Sequence, residues 1–308
     1  MFSNLNGNPY KPYLFVISGA FMISFSAVFV KIANVGPSVS AFYRVFFGGI
    51  ILAILTRIRG ESFWKGIKSF KYAIFAALAF SLDLFLWHRS ILYVGPGLAT
   101  ILGNLQVFFM AGFAFLFLKE KPTWKLLISI PLAVLGLFMI IGFDWSTASA
   151  GYHTGVILGF GTALSYAIYI LLLRQSQRIP EKLSIYANLA IITLITAFLL
   201  GMEILIRGQE SFAIPDLQTW GALVGLGLII QVIGWILISK GLSEIEASVA
   251  GLLLLLQPAL AFTWDILIFG RSATVVILTG AVLTLAAIYL GATGRRKKRV
   301  KTKKSLDL

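Results

Sequence analysis

Apolar residues dominate this chain in ten long runs, separated by short connections that carry most of the charged residues. The run "VAGLLLLLQPALAF" (residues 249–262) is apolar on every side and lacks the alternation of a membrane β-strand. A bilayer core of about 30 Å needs roughly 20 apolar residues for each helical span. The pattern therefore predicts ten membrane helices, at residues 13–32, 38–56, 71–93, 97–118, 125–142, 154–173, 183–206, 219–239, 247–269 and 273–292.

Composition agrees with this pattern. Of the 308 residues, 58% are hydrophobic and 12% are charged, and the mean hydropathy is +0.91. These values are typical of an integral membrane protein, so we expect an all-α integral membrane bundle without a second, soluble domain. The chain has no cysteine, which excludes disulfides and thiolate metal sites.

The placement of basic residues predicts the orientation. If the N-terminus is cytoplasmic, the outer connections hold only Arg207 and Arg271, whereas the inner connections hold most of the other lysines and arginines. The positive-inside rule then favours two cytoplasmic termini. The basic tail "RRKKRVKTKK" follows the last span, where such clusters contact anionic membrane lipids, so we expect lipid and no nucleic acid as its partner.

The chain repeats itself. A shift of 151 residues lays "LATILGNLQ" over "VAGLLLLLQ" and pairs Thr123 with Thr274, and a shift of 140 aligns the first span with the sixth. The predicted domains are a first five-helix repeat at 1–148, a second at 149–294 and a basic cytoplasmic tail at 295–308. Because five is odd, the two repeats cross the membrane in opposite directions, a design typical of transporters.

Three segments carry a family resemblance: "FYRVFFGGIILAI" (42–54), the stretch from Leu82 to Thr123, and "GLSEIEASVAGLLLLLQPALAF" (241–262). With these segments the chain resembles the EamA-type members of the drug/metabolite transporter superfamily over almost its whole length. The resemblance implies a ten-helix exporter or importer of small organic solutes, often amino acids or other metabolites. The halves differ at one turn, where "FLKEKPT" with Glu120 in the first corresponds to "FGRSAT" with Arg271 in the second.

Asp83 is the strongest candidate for solute contact. A rise of about 1.5 Å per residue places it roughly 18 Å along the third span, near mid-membrane, with Asn104 of the fourth span at nearly the same level. Asp83 and Trp87 are four residues apart and share one helical face. An intramembrane carboxylate normally faces a cavity or a partner, so it either serves substrate or is a structural aspartate that is protonated or paired.

Polar and aromatic residues of other spans lie at similar depth and predict the rest of a cavity wall. Aromatic side chains with a polar end suit an amphipathic organic molecule, although aromatics in membrane helices also simply pack. The remaining predicted substrate-binding residues are Ser24, Tyr166, Tyr169, Gln231, Trp235 and Gln257.

Three further positions leave alternatives open. His88 either takes part in proton coupling together with Asp83 or is a solvated interfacial side chain. Arg44 is interpreted first as a residue that pairs with a neighbouring helix. The alternative is that it binds a carboxylate of the substrate. Pro258 after Gln257 predicts a kink in the ninth span, which is either a hinge or a tolerated bend.

The sequence contains no G-x-x-x-x-G-K-[ST] loop, H-E-x-x-H or G-x-S-x-G motif, and no cofactor is expected. We therefore predict a secondary transporter or facilitator of amino acids or related metabolites, with export favoured and alternating access around a midplane cavity. The alternatives are an integral-membrane enzyme acting on a lipid or isoprenoid, and a channel. The family resemblance implies the inner membrane of a bacterium, and we expect a monomer or a homodimer.

Overall fold

The computed structural model of the chain describes residues 9–141, 151–270 and 274–293, and these residues form ten helices. The all-α prediction is confirmed. The predicted basic tail at 295–308 and the junction of the repeats at 148 and 149 lie outside the described residues. The helices are Lys11–Ile32 (α1), Pro37–Ile58 (α2), Ile67–Val94 (α3), Leu102–Leu116 (α4), Trp124–Ile141 (α5), Tyr152–Ser176 (α6), Ile185–Arg207 (α7), Leu217–Leu242 (α8), Ala247–Phe269 (α9) and Val275–Thr293 (α10).

Seven of these helices are long and apolar enough to cross a membrane, and α4, α5 and α10 are shorter apolar helices. Large apolar side chains cover the outside of the bundle: Phe198 is 66% exposed and Val282 is 67% exposed. In water such a surface would aggregate, whereas in a bilayer it faces lipid tails. The chain is a multi-pass integral membrane protein.

Local sequence explains where several helices begin. Pro37 stands in the first turn of α2, where its missing N–H has no cost. The Ser184 hydroxyl accepts from the Ala187 N–H at 3.0 Å before α7, and Asp216 Oδ1 accepts from the Thr219 N–H at 2.6 Å before α8. These side chains satisfy donors that the first helical turn leaves unpaired.

Four helices are irregular in their middle parts, and α4 is interrupted at Leu105. In α1, Phe25 separates the segments Lys11–Ser24 and Ser26–Ile32. In α9 the helix is interrupted at Leu255, three residues before Pro258, because proline has no N–H to donate to the preceding turn. The predicted kink is therefore present, whereas its use as a hinge remains a prediction. In α8 the residues Leu226–Gly234 are π-helical, an irregularity common at functional sites.

The chain reverses between α3 and α4. Helical backbone is continuous over Ile67–Asn104, yet a Trp87 ring atom lies 3.8 Å from the position that a Cβ on Gly103 would take. A straight helix would separate residues 87 and 103 by about 24 Å. The two helices are therefore antiparallel neighbours, and Trp87 faces α4.

Helix contacts reproduce the sequence repeat. In the repeat, each helix of the first half corresponds to the helix five positions later. The α3–α6 contact then corresponds to the α1–α8 contact, and the α3–α7 contact corresponds to the α2–α8 contact. All four helix contacts are present. Three further contacts join a helix directly to its counterpart in the other half: α2–α7, α4–α9 and α5–α10. Thr123 and Thr274 begin α5 and α10 alike, since each carbonyl accepts from the N–H four residues on at 3.1 Å. The bundle consists of duplicated halves.

Small residues bring α5 and α10 close together. A Cβ on Gly136 would lie 2.6 Å from the Gly280 carbonyl oxygen and 2.8 Å from the Thr284 nitrogen, both backbone atoms of α10. Membrane helices pack most tightly where such small residues let two backbones approach. Even alanine does not fit at residue 136 without moving one helix.

This crossing gives a stability prediction. We expect Gly136→Leu to destabilise the protein by roughly 1–3 kcal/mol through overpacking, and to lower its melting temperature in detergent. Gly112→Leu in α4 is the control, because no other heavy atom lies within 4 Å of its added Cβ. Equal melting temperatures for the two variants would contradict the α5–α10 packing.

Candidate functional site

A cavity of about 530 Å³ lies at the centre of the bundle. Helices α1, α2, α3 and α4 of the first half and α6, α8 and α9 of the second half form its wall. Small-molecule sites commonly enclose about 300–1,000 Å³. The cavity therefore has room for a small organic solute, held between the two halves.

The cavity has an aromatic floor and a mouth at the opposite end. Phe80 of α3 stacks on Tyr169 of α6 with ring centroids 4.5 Å apart, and Trp235 of α8 packs edge-on against Tyr169 at 5.0 Å. All three side chains are buried. Lys31 and Pro37, on either side of the α1–α2 turn, line the other end and are exposed. The cavity is thus directed toward the face that carries the α1–α2 turn.

Most of the residues predicted from the sequence meet at this cavity. Those that line it are Ser24, Asp83, Trp87, His88, Asn104, Tyr166, Trp235 and Gln257. Two others lie directly behind its wall and are fully buried: Tyr169 contributes to the floor, and Gln231 holds a wall residue from behind. Tyr169 and Gln231 therefore support the wall from behind and do not face the cavity, in contrast to their predicted direct contact with substrate.

Asp83 is a buried but unpaired carboxylate. Its residue is 7% exposed, and it lines the cavity from the middle of α3. Among the described residues no side chain or backbone group forms an ion pair or hydrogen bond with it. The carboxylate oxygens are therefore available to a cationic group in the cavity.

Arg44 supplies the opposite charge, and its position within an apolar span predicts first a partner between helices. It lines the same cavity, where its Nε donates to the Gln231 Oε1 at 3.0 Å. The Gln231 Nε2 in turn donates to the Thr193 hydroxyl at 3.2 Å. A Cβ on Gly48 would lie 2.6 Å from the Gln231 Cβ, so glycine there is what lets this glutamine approach. The signal in the sequence was an arginine within the apolar run "FYRVFF".

Two hydrogen-bond donors of wall residues have no partner in the described part of the chain. These are the Trp235 Nε1 and the Thr162 hydroxyl, whereas the Gln257 side chain forms a hydrogen bond with Tyr166. Buried polar groups without partners are uncommon because each costs about 1–3 kcal/mol.

Other predicted wall residues use their polar groups within the protein. The Ser24 hydroxyl donates to the Phe21 carbonyl at 2.6 Å and accepts from the Trp264 Nε1 at 2.8 Å, which ties α1 to α9. The Asn104 Nδ2 donates to the Thr100 carbonyl of its own helix at 2.8 Å. Ser24 therefore contributes mainly shape to the wall.

His88 lies between the central cavity and a smaller one of about 140 Å³. Its Nδ1 is 2.6 Å from the Leu84 carbonyl oxygen, and its ring packs edge-on against Trp87. The smaller cavity also contains Glu203, which forms ion pairs with Arg89 at 3.8 Å and Arg207 at 2.8 Å. Within the described residues no cluster of three or more metal-ligating side chains occurs.

A charged central cavity between two oppositely directed halves is the architecture of a secondary transporter. The chain belongs to the EamA-like transporter family, whose model matches residues 10–142 and 153–293. Both halves of the chain are thus copies of the same family unit, and the prediction of a membrane transporter is confirmed.

Individual relatives are distant. The chain is similar to a probable amino-acid metabolite efflux pump of Salmonella typhimurium, 27% identical over 84% of each chain. It is 24% identical to the pseudopaline exporter CntI of Pseudomonas aeruginosa over 83% of this chain and 86% of that one. An uncharacterised transporter of Archaeoglobus fulgidus is 26% identical over 56% of this chain and 58% of its own length. One crystal structure superposes with a TM-score of 0.78 at 16% identity, covering 92% of this chain and 97% of that chain, which shows the shared fold.

The absence of cysteine makes the cavity directly testable. Asn104 is half-buried on the cavity wall, whereas Thr193 lies behind Gln231 with no exposed surface. We expect Asn104→Cys in purified protein to react with a water-soluble maleimide at least about tenfold faster than Thr193→Cys, since reaction requires an accessible thiolate. Comparable rates would contradict the described cavity.

Proposed function

We propose that this transporter exports amino acids or related zwitterionic metabolites by alternating access around the central cavity. The proposed substrate-contacting residues are Arg44, Asp83, Trp87, Tyr166, Trp235 and Gln257, with Asn104 and Ser24 shaping the wall and Gln231 and Tyr169 supporting it.

The observation that carries the proposal is the pair of opposite charges on one cavity wall. Arg44 and Asp83 both line the cavity, and no ion pair joins them. A carboxylate fits the planar, multi-donor guanidinium of Arg44, and an ammonium fits the Asp83 carboxylate. A zwitterion brings both charges and neutralises both residues at once.

The rest of the wall suits the remainder of such a molecule. Trp87 and Tyr166 line the cavity and offer apolar aromatic faces for a side chain. The two relatives with named cargo, an amino-acid metabolite efflux pump and a pseudopaline exporter, support both the substrate class and the outward direction.

Location and assembly complete the proposal. The excess of basic residues in the connections at one face supports cytoplasmic termini, and the family supports the inner membrane of a bacterium. The basic tail at 295–308 then lies against anionic lipid. We also propose that the first repeat ends at residue 148, that the second begins at residue 149, and that the protein is a monomer or a homodimer.

Proton coupling through Asp83 or His88 is a further part of the proposal. An unpaired carboxylate at membrane depth is the usual site at which a transporter binds and releases a proton. His88 borders both cavities and so lies between Asp83 and the outer surface. An uncoupled, downhill exporter would need neither residue to titrate.

Counterflow of radiolabelled amino acids in proteoliposomes tests the function. We expect saturable counterflow for at least one amino acid, with a loss of about tenfold or more in Asp83→Asn and in Arg44→Gln, because each removes a charge-assisted contact. Stimulation by an imposed pH gradient, lost in Asp83→Asn, would assign proton coupling to that carboxylate.

Matched control variants distinguish the effect of removing a charge on the cavity wall from the effect of removing a charge elsewhere in the protein. Arg59 and Glu61 form an ion pair at 3.1 Å in the connection after α2, away from the cavity. Arg59→Gln and Glu61→Gln should therefore leave counterflow unchanged. Normal transport by folded Asp83→Asn and Arg44→Gln, or no transport of any amino acid by folded protein, would contradict the proposal.

A further inference from the structure

Below the aromatic floor, one carboxylate joins three connections at the face opposite the cavity mouth. Glu120 follows α4, and its Oε1 accepts from an Arg174 terminal N–H at 2.9 Å and from the Ala247 N–H at 3.0 Å. Its Oε2 accepts from the backbone N–H and hydroxyl of Ser248 at 3.4 and 3.3 Å. Glu120 thereby binds the first turn of α9, where the helix dipole favours a negative charge.

Arg174 completes the connection from the second half. It lies in the last turn of α6 and donates to the Leu242 carbonyl at 3.2 Å and to the Ile245 carbonyl at 3.1 and 2.7 Å. Its side chain is 3% exposed, and that of Glu120 is 13% exposed. The cluster of Glu120, Arg174, Leu242, Ile245 and Ser248, here called the latch, is thus largely shielded from water, where charged hydrogen bonds are strong.

The backbone next to Glu120 is shaped for this contact. Lys119 has φ of 54°, and it is the one non-glycine residue with positive φ in the described part of the chain. Left-handed backbone is unfavourable for lysine and persists where surrounding contacts determine it. The turn after α4 therefore adopts a strained conformation that directs Glu120 into the latch.

The sequence repeat does not carry the two charged latch residues over to the other half. Under the shift of 151 the counterpart of Glu120 is Arg271, and under the shift of 140 the counterpart of Arg174 is Asn34. The Asn34 Nδ2 instead donates to the Asp216 Oδ2 at 2.9 Å in an exposed contact before α8. Near the mouth the Glu203–Arg89 ion pair joins α3 to α7, whereas the Glu203–Arg207 pair lies within α7, and neither pair occupies the latch positions.

We propose that the Glu120–Arg174 latch holds the face below the floor closed, and that the lack of matching residues at the equivalent sequence positions makes the mouth-open conformation the resting state. Opening the other face requires the turns after α4 and α8 to separate from the end of α6, which breaks the latch. Glu120 and Arg174 are positioning residues for transport: they touch no solute and set which face of the cavity is open. The proposal rests on the transporter class and not on which solute is carried.

Thiol labelling without substrate tests this proposal. Ser239 lies in α8 between the floor and the latch and is 1% exposed, so Ser239→Cys reports opening of the latched face, while Asn104→Cys reports the mouth. We expect Glu120→Gln to raise the maleimide labelling rate of Ser239→Cys about tenfold, because it removes charge-assisted hydrogen bonds present in one conformation alone. The labelling rate of Asn104→Cys should fall in the same variant.

Two further variants keep the outcome unambiguous. Glu244→Gln removes an exposed carboxylate from the same α8–α9 connection and should change neither rate. If Glu120→Gln does not give a monodisperse protein, Ser248→Ala removes one latch bond without removing a charge and should give a shift in the same direction of about two- to fivefold. Unchanged labelling in the folded latch variants, or an equal change in Glu244→Gln, overturns the proposal. Because no solute is present, this result is independent of the counterflow result.

Discussion

Two opposite charges at membrane depth, on Arg44 and Asp83, impose the main constraint on this structure. Each would cost at least about 2.5–3.5 kcal/mol in hydrocarbon, so neither can face lipid or apolar core. The bundle places both on the wall of a central cavity, which has room for water or a solute. Because α2 and α3 carry the charges and α6, α8 and α9 complete the enclosure, neither half can form the site alone.

Within this arrangement the two faces of the bundle differ. Duplicated halves could in principle close either face equally well, since their helix contacts are exchanged by the repeat. The aromatic floor and the buried bonds of Glu120 and Arg174 strengthen one closure, whereas Asn34 offers an exposed amide at the equivalent position of the other. A transporter that rests open toward one side needs such an inequality, because identical closures would leave both conformations equally populated.

Much of the fold followed from the sequence, because apolar runs of membrane length permit little except helices. Counting residues along helices also brought Asp83 and Trp87 to the cavity, since depth depends on rise alone. The direction in which a side chain points around its helix cannot be obtained from the number of residues along the helix in the same way. The π-helical turn of α8 directs Gln231 away from the cavity and toward Arg44, 187 residues distant in the chain. The role of Arg44 therefore depended on a contact that no local pattern contains.

The central claim is that the cavity recognises a carboxylate and an ammonium on one molecule. Titration calorimetry on the purified protein tests it directly, with an amino acid compared against the amine that lacks its carboxylate and the acid that lacks its amino group. The account predicts that the intact amino acid binds at least about tenfold more tightly than either analogue, because each analogue leaves one buried charge unpaired. Equal affinity for all three compounds, or tighter binding of an analogue, would contradict it.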